Sequence, residues 1–194
     1  MGRGVRVSPA GRILGAAVRA RAWGQVWLHP ASALIVPVVK AEPVLTEWAG
    51  HPLTFMGARP HITVMYPFLP PHRIDAAVRQ AIANMAAHMS PFSFSLTHVD
   101  QFPGVYYLAP QPTAPFVQLT AATQERWPEC KPYGGVFDEV RPHVTIGFGD
   151  RPVADLAELE VRLPIEMEAS ELWLLEQSAG RWRTRGRFLL GTEE

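Results

Sequence analysis

The chain has 194 residues, 47% of them hydrophobic and 19% charged, with 18 basic and 18 acidic side chains. That balance describes a globular protein and not a disordered one, and a net charge of zero argues against a body that grips long duplex nucleic acid by its phosphates. The charge is unevenly spread, since residues 1–41 hold five arginines and Lys40 without one acid, +6 in all, and the remainder is −6. The single cysteine, Cys130, excludes an intrachain disulfide and a cysteine-rich zinc site, and it suits a reducing cytoplasm.

Residues 1–30 read as a flexible basic tail. Their apolar run from Ile13 to Val18 is short for a signal peptide and is followed by Arg19 and Arg21. No apolar stretch approaches the roughly 18 residues that cross a bilayer, so no transmembrane helix is expected. Residues 31–192 then read as one domain. Ser32 to Lys40 is the first strand, with Pro37 pointing to an edge or a bulge. Glu42 to Ala49 is a short helix with Pro43 in its first turn. A loop runs to Pro60, a strand follows, and the prolines of Tyr66-Pro67-Phe68-Leu69-Pro70-Pro71 end it.

Arg73 to Met89 is an amphipathic helix, its Ile74, Val78, Ala81, Ile82, Met85 and Met89 spaced by three or four. Phe92, Phe94 and Leu96 alternate with polar residues as a strand, 100–104 turn, and Val105 to Ala109 completes a hairpin. Ala114 to Trp127 is a helix with Phe116, Leu119, Thr123 and Trp127 on one side. Pro132-Tyr133-Gly134-Gly135 is a flexible loop, 147–152 turn, and Val153 to Leu159 is a short helix. Strands at Leu163 to Glu168 and Ser170 to Gln177 precede a tight turn at 178–180 and a last strand, Trp182 to Leu190. Strands and helices in two similar batches predict an α+β protein of two related lobes.

The strongest signal is a repeat. Arg59-Pro60-His61-Ile62-Thr63-Val64 returns 82 residues later as Arg141-Pro142-His143-Val144-Thr145-Ile146. Polar and aliphatic residues alternate in each copy, so on a strand the histidine and threonine share one face and the aliphatic pair the other. Proline lacks a ladder donor, which places each motif at the start of its strand. Two such strands related by a pseudo-twofold would aim two imidazoles and two hydroxyls into one cleft.

Histidine titrates near neutrality, so one ring of a facing pair can accept a proton while the other donates one. That division suits in-line displacement at a phosphodiester, with His61 and His143 as acid and base and with Thr63 and Thr145 donating to non-bridging oxygens. Zinc would need further ligands, and Asp138 and Glu139 alone do not supply a set, so no metal is expected. There is no Gly-x-Ser-x-Gly elbow, and Cys130 has no motif of its own.

Two H-x-T motifs at this spacing, with Tyr66-Pro67-Phe68, Pro132-Tyr133-Gly134-Gly135 and Phe137-Asp138-Glu139, resemble the 2H phosphoesterase superfamily and within it the bacterial 2'-5' RNA ligase family, from about Ser32 to Gly191. The resemblance implies a bilobal α+β fold with a central cleft between two pseudo-twofold-related lobes of antiparallel sheet and helices. It implies a cofactor-free and metal-independent enzyme acting on an RNA end or a small nucleotide that carries a 2',3'-cyclic phosphate, or on 2'-5' linkages. His61, Thr63, His143 and Thr145 take the catalytic positions, with neither histidine assigned to acid or base. The alternative is a catalytically silent nucleotide- or RNA-binding protein using the same cleft.

Around the cleft, Phe68, Tyr133 and Trp182 either stack on a base or pack internally. Arg59 and Arg141 flank the motifs and either steer phosphate or pair with acids such as Asp138. Arg181, Arg183, Arg185 and Arg187 alternate along the last strand, to present one face to phosphates or to guard an edge. His29, His51, His72, His88 and His98 have no motif and no assigned role. Neutral charge and the lack of heptads suggest a monomer.

Overall fold

The computed structural model describes residues 31–137, 139–149 and 154–191; the basic tail expected over 1–30 lies outside them. The chain gives strand β1 (Ser32–Pro37), helix α1 (Glu42–Ala49), β2 (His61–Met65), α2 (Ala76–Ala87), β3 (Phe92–Phe102), β4 (Val105–Gln111), α3 (Ala114–Arg126), β5 (Val144–Phe148), α4 (Leu156–Glu160), β6 (Ile165–Ala169), β7 (Glu171–Ser178) and β8 (Arg181–Leu189). The helices start where the sequence supplies caps or prolines. Asp75 accepts the Val78 N–H at 2.8 Å, Asp155 caps α4, and Pro43 and Pro115 sit in first turns where a missing N–H costs nothing.

The eight described strands form one antiparallel sheet in the order β6-β3-β4-β5-β2-β1-β7-β8. Outward from the middle, it is two four-stranded halves that meet at the motif strands. In each half a strand, a helix and an antiparallel motif strand follow one another, β1-α1-β2 in one and β4-α3-β5 in the other. The fold is therefore α+β and bilobal. The halves are not successive stretches of chain, however, because the C-terminal hairpin β7-β8 returns to pair with β1.

Helices cover one face of the sheet. Leu34, Val36, Ile62, Val64, Leu96, Leu108, Val144 and Leu174 pack there with Ile82, Leu119 and Phe116 into the main core. Phe116 lies edge-on to Phe92 and Phe94 at 5.1 and 5.0 Å, pairings that add about 0.5–1.5 kcal/mol beyond area burial. Pro37 ends a strand that lies between β2 and β7, so it marks a strand terminus and not a sheet edge.

A shift in the β1-β2 register pairs Leu34 with Met65 and Ile35 with Thr63, which leaves Val64 as the extra residue of a bulge. Its carbonyl accepts from the buried Thr120 hydroxyl of α3 at 3.0 Å, a proton shared with the Phe116 carbonyl at 3.1 Å. Bulge and helix together fix the strand that begins at His61. Thr120→Val keeps the side-chain volume but strands that carbonyl, and should cost about 1–3 kcal/mol of stability, read as a lowered urea midpoint with an unchanged slope.

Candidate active site

The two motif strands touch through one register pair, Ile62 opposite Val144. These are equivalent residues of the two motifs, so the local twofold runs between them. Both face the helix-side core, and with a side-chain period of two, positions 61, 63, 143 and 145 all fall on the opposite face. His61, Thr63, His143 and Thr145 are all half-buried there. The next strands extend the row on the same face, with Ile35 and Trp173 beyond Thr63 and with Tyr107 beyond Thr145.

Each imidazole is fixed by the chain just before it. The His61 Nδ1 lies 2.6 Å from the Arg59 carbonyl oxygen, and the His143 Nδ1 lies 2.7 Å from that of Arg141. A carbonyl accepts and cannot donate, so both rings carry hydrogen on Nδ1 and keep Nε2 for whatever enters the cleft. The intervening prolines, Pro60 and Pro142, fix φ immediately after those carbonyls and so restrict how the chain leads from each carbonyl to its imidazole. The backbone oxygens of Arg59 and Arg141 are thus the orienting groups, a role invisible in a reading of side chains.

Burial lowers the pKa of both histidines, against the raising effect of those same hydrogen bonds; His61 is lowered further by the charge of His143. The surroundings are otherwise unequal. His143 sits among aromatic rings, edge-on to Phe102 at 5.1 Å and to Tyr107 at 5.3 Å, with Tyr133 stacked over it at 6.5 Å and 21°. Phe102 and Tyr107 stack on each other at 4.3 Å, and the Tyr107 hydroxyl donates to Asp100 at 2.9 Å. Burial and that carboxylate push the Tyr107 phenol well above its ordinary value, so it stays neutral. Phe102 and Tyr107 carried no mark in the sequence, because which side chain of one strand meets which of another depends on register.

Tyr133 reaches this site from a loop that takes a left-handed turn, with φ of 52° at Tyr133 and 68° at Gly134. Within this loop the Gly134 N–H donates to the Lys131 carbonyl at 2.8 Å and the Val136 N–H to that of Tyr133 at 3.3 Å. Arg59 and Arg141 are exposed and pair with Glu42 at 3.7 Å and Glu139 at 3.0 Å. Asp138, the partner expected for Arg141, lies outside the described residues. Exposed pairs of this kind are worth about 0–1 kcal/mol, so neither guanidinium is committed.

Phe68 and Trp182 take the packing alternative, and the arginines of β8 lie on a strand at the edge of the sheet. Phe68 is a core residue, 5% exposed and edge-on to Trp127 at 5.0 Å. Trp182 is likewise buried, against Tyr66 at 5.7 Å. The four arginines of β8 do not share a face, because a register shift between Leu174 and Leu175 sets Arg187 opposite Trp173 and Arg183 opposite Glu176. Arg187 caps the Trp173 ring at 4.3 Å on the histidine face, whereas Arg185 pairs with Glu176 at 3.2 Å. Among the described residues, no three His, Cys, Asp or Glu side chains cluster as metal ligands would, and no helix is long and apolar enough to cross a membrane.

Two histidines and two threonines presented on adjoining strands of such a sheet define a 2H phosphoesterase. The sequence matches the 2'-5' RNA ligase superfamily over residues 37–181, and the chain belongs to that family of enzymes. No protein of curated function matches it. The fold is that of TT0787 from Thermus thermophilus, at 15% identity and a TM-score of 0.58, over 84% of this chain and 100% of that one. It is also that of E. coli LigT complexed with 3'-AMP, at 17% identity and 0.56, and of LigT complexed with NADP+, at 19% and 0.54, each over 84% of this chain and 99% of LigT.

The lowered histidine pKa values bear on stability. As pH falls through 6.5, the unfolded chain takes up protons that the folded chain still refuses, so the folded state loses stability until its own imidazoles protonate. Urea midpoints should fall with acidity between about pH 7 and 5, and the double variant His61→Gln/His143→Gln should show a shallower fall.

Proposed function

We propose that this protein is a metal-independent phosphodiesterase that opens the 2',3'-cyclic phosphate of an RNA end or a small nucleotide. The observation that carries the reading is the pair of imidazoles on one face, each with Nδ1 held by a backbone carbonyl and Nε2 left for chemistry. In this reading water attacks phosphorus in line with the 3'-oxygen and gives its proton to one Nε2. The other imidazole, protonated, passes its proton to the departing 3'-oxygen, leaving a 2'-phosphate and a free 3'-hydroxyl. A ribose hydroxyl in place of water would run the same groups toward a 2'-5' linkage.

Thr63 and Thr145 donate their hydroxyls to the non-bridging oxygens, whose charge grows in the transition state. The depressed pKa values leave the free imidazoles neutral at neutral pH, and an arriving phosphate anion raises them, so that one can hold the acid's proton. Arg59 and Arg141, loosely paired at the rim, draw the phosphate in. That LigT, a relative in fold, has been crystallised with 3'-AMP, NADP+ and ATP supports a nucleotide as ligand. We propose further that residues 31–192 work as a single domain and as a monomer, in a reducing compartment that suits Cys130, a buried free thiol whose pKa burial pushes up to about 11.

The test is turnover, in EDTA, of 2',3'-cyclic nucleotides, a cyclic-phosphate-ended RNA and 2'-5' dinucleotides. Wild type should be active with a bell-shaped pH dependence, and His61→Ala and His143→Ala should each lose about 10²–10⁴-fold in kcat. Activity that needs added metal, or that survives in both variants, overturns the mechanism. Nucleotide binding without turnover would replace the enzyme with a binding protein.

A further inference from the structure

Tyr133 belongs to neither motif, yet it is the side chain that meets both. Its hydroxyl lies near the side chain of Thr63, and its ring lies nearly parallel to that of His143, 21° from coplanar with centroids 6.5 Å apart. Its backbone N–H donates to the Tyr66 carbonyl, at the end of the first motif strand, and Phe137 braces its ring edge-on at 5.6 Å. The left-handed φ of 52° is costly for a residue with a Cβ. Gly134, also left-handed, has open space where a Cβ would be. The turn thus brings one aromatic side chain beside residues of both motif strands.

We infer that Tyr133 is a positioning residue that ties the two halves of the site together, holding the Thr63 hydroxyl with its own and covering the His143 ring against water. The base-stacking role suggested by its aromatic character is a different assignment, since one ring face is turned toward the imidazole. The inference rests on the phosphodiesterase reading for its chemistry, though not for its geometry. The phenol does not compete as a proton donor, because burial raises its pKa against the lowering effect of Thr63. The other titratable or charged groups around His143 are His61 on β2, Tyr107 on β4 with Asp100 behind it on β3, and Arg141 just before it. Tyr107 is neutral, and the remaining three are unchanged by substitutions at 133.

Two variants separate the hydroxyl from the ring. Tyr133→Phe keeps the cover and removes the hold on Thr63; with 2',3'-cyclic AMP as probe, kcat should fall about 10- to 100-fold at little change in KM, as misplaced groups cost. Its His143 titration, followed by the imidazole proton resonance of the free protein, should match wild type. Tyr133→Ala should lose as much rate and in addition let water reach the ring, so that His143 titrates closer to the ordinary value of about 6.5. If Tyr133→Phe turns over like wild type and Tyr133→Ala only raises KM, the residue stacks on substrate and the inference fails. A wild type that leaves every cyclic phosphate intact overturns the functional reading instead, and the titration alone then decides this one: an unmoved His143 in Tyr133→Ala rejects it.

Discussion

One contact between two strands governs this molecule. Ile62 opposite Val144 is the single register pair between the motif strands among the described residues, and it joins equivalent residues, so whatever one motif presents the other presents reversed beside it. The strand period then does the rest. With both aliphatic side chains committed to a core that excludes water, the flanking histidines and threonines have no choice of face. A shift of one residue in either strand would turn its motif inward and bury a histidine and a threonine in hydrocarbon, a cost of several kcal/mol. The site is specified as much by what Ile62 and Val144 bury as by what their neighbours can do.

The same economy holds one layer out. The imidazoles are oriented by carbonyls two residues away, across one proline in each motif, and not by acidic side chains brought from elsewhere. Each motif therefore carries its own orienting group within its few consecutive residues, and a copy of the motif copies the geometry. The departures from symmetry lie outside those residues. Aromatic rings from β3 and β4 gather around His143, and the Tyr133 turn comes over it from the loop before the second motif. His61 has Pro37 opposite it in the ladder, in place of that aromatic cluster. In the proposed mechanism, where one imidazole takes a proton and the other gives one, the two like groups stand in unlike surroundings.

Much of this was legible beforehand, for identifiable reasons. The repeat is local, and period-two alternation with a leading proline is enough to place His61 and His143 at strand starts. Helix α1 was readable to the residue from Pro43 and the following periodicity, and α3 to within one residue from Pro115 and its buried stripe. What failed depends on register between distant segments. The four arginines of β8 alternate in sequence as if on one face, and an extra residue in β8 itself, Arg185, splits them. Phe68 follows its motif as a ligand-binding aromatic would, but the chain leaves the sheet there and turns the ring onto Trp127. Phe102, Tyr107 and the backbone of Arg59 and Arg141 gave no sign, because a side chain's partner across a sheet, or a carbonyl's direction, is not written in its own neighbourhood.

The return of β7 and β8 to the first half sets an order on how the molecule comes into being. The half that holds His143 is built from one unbroken stretch, 92–169, and can close as soon as that stretch has left the ribosome. The half that holds His61 has two of its four strands within residues 32–65 and the other two within 171–189. Its apolar strand faces must wait for nearly the whole chain, through the longest-range pairing in the fold, and such contacts form late and leave an edge exposed meanwhile. During synthesis the first motif histidine made belongs to the last half completed, and a ribosome that stops short of the final hairpin releases one finished half and one open sheet.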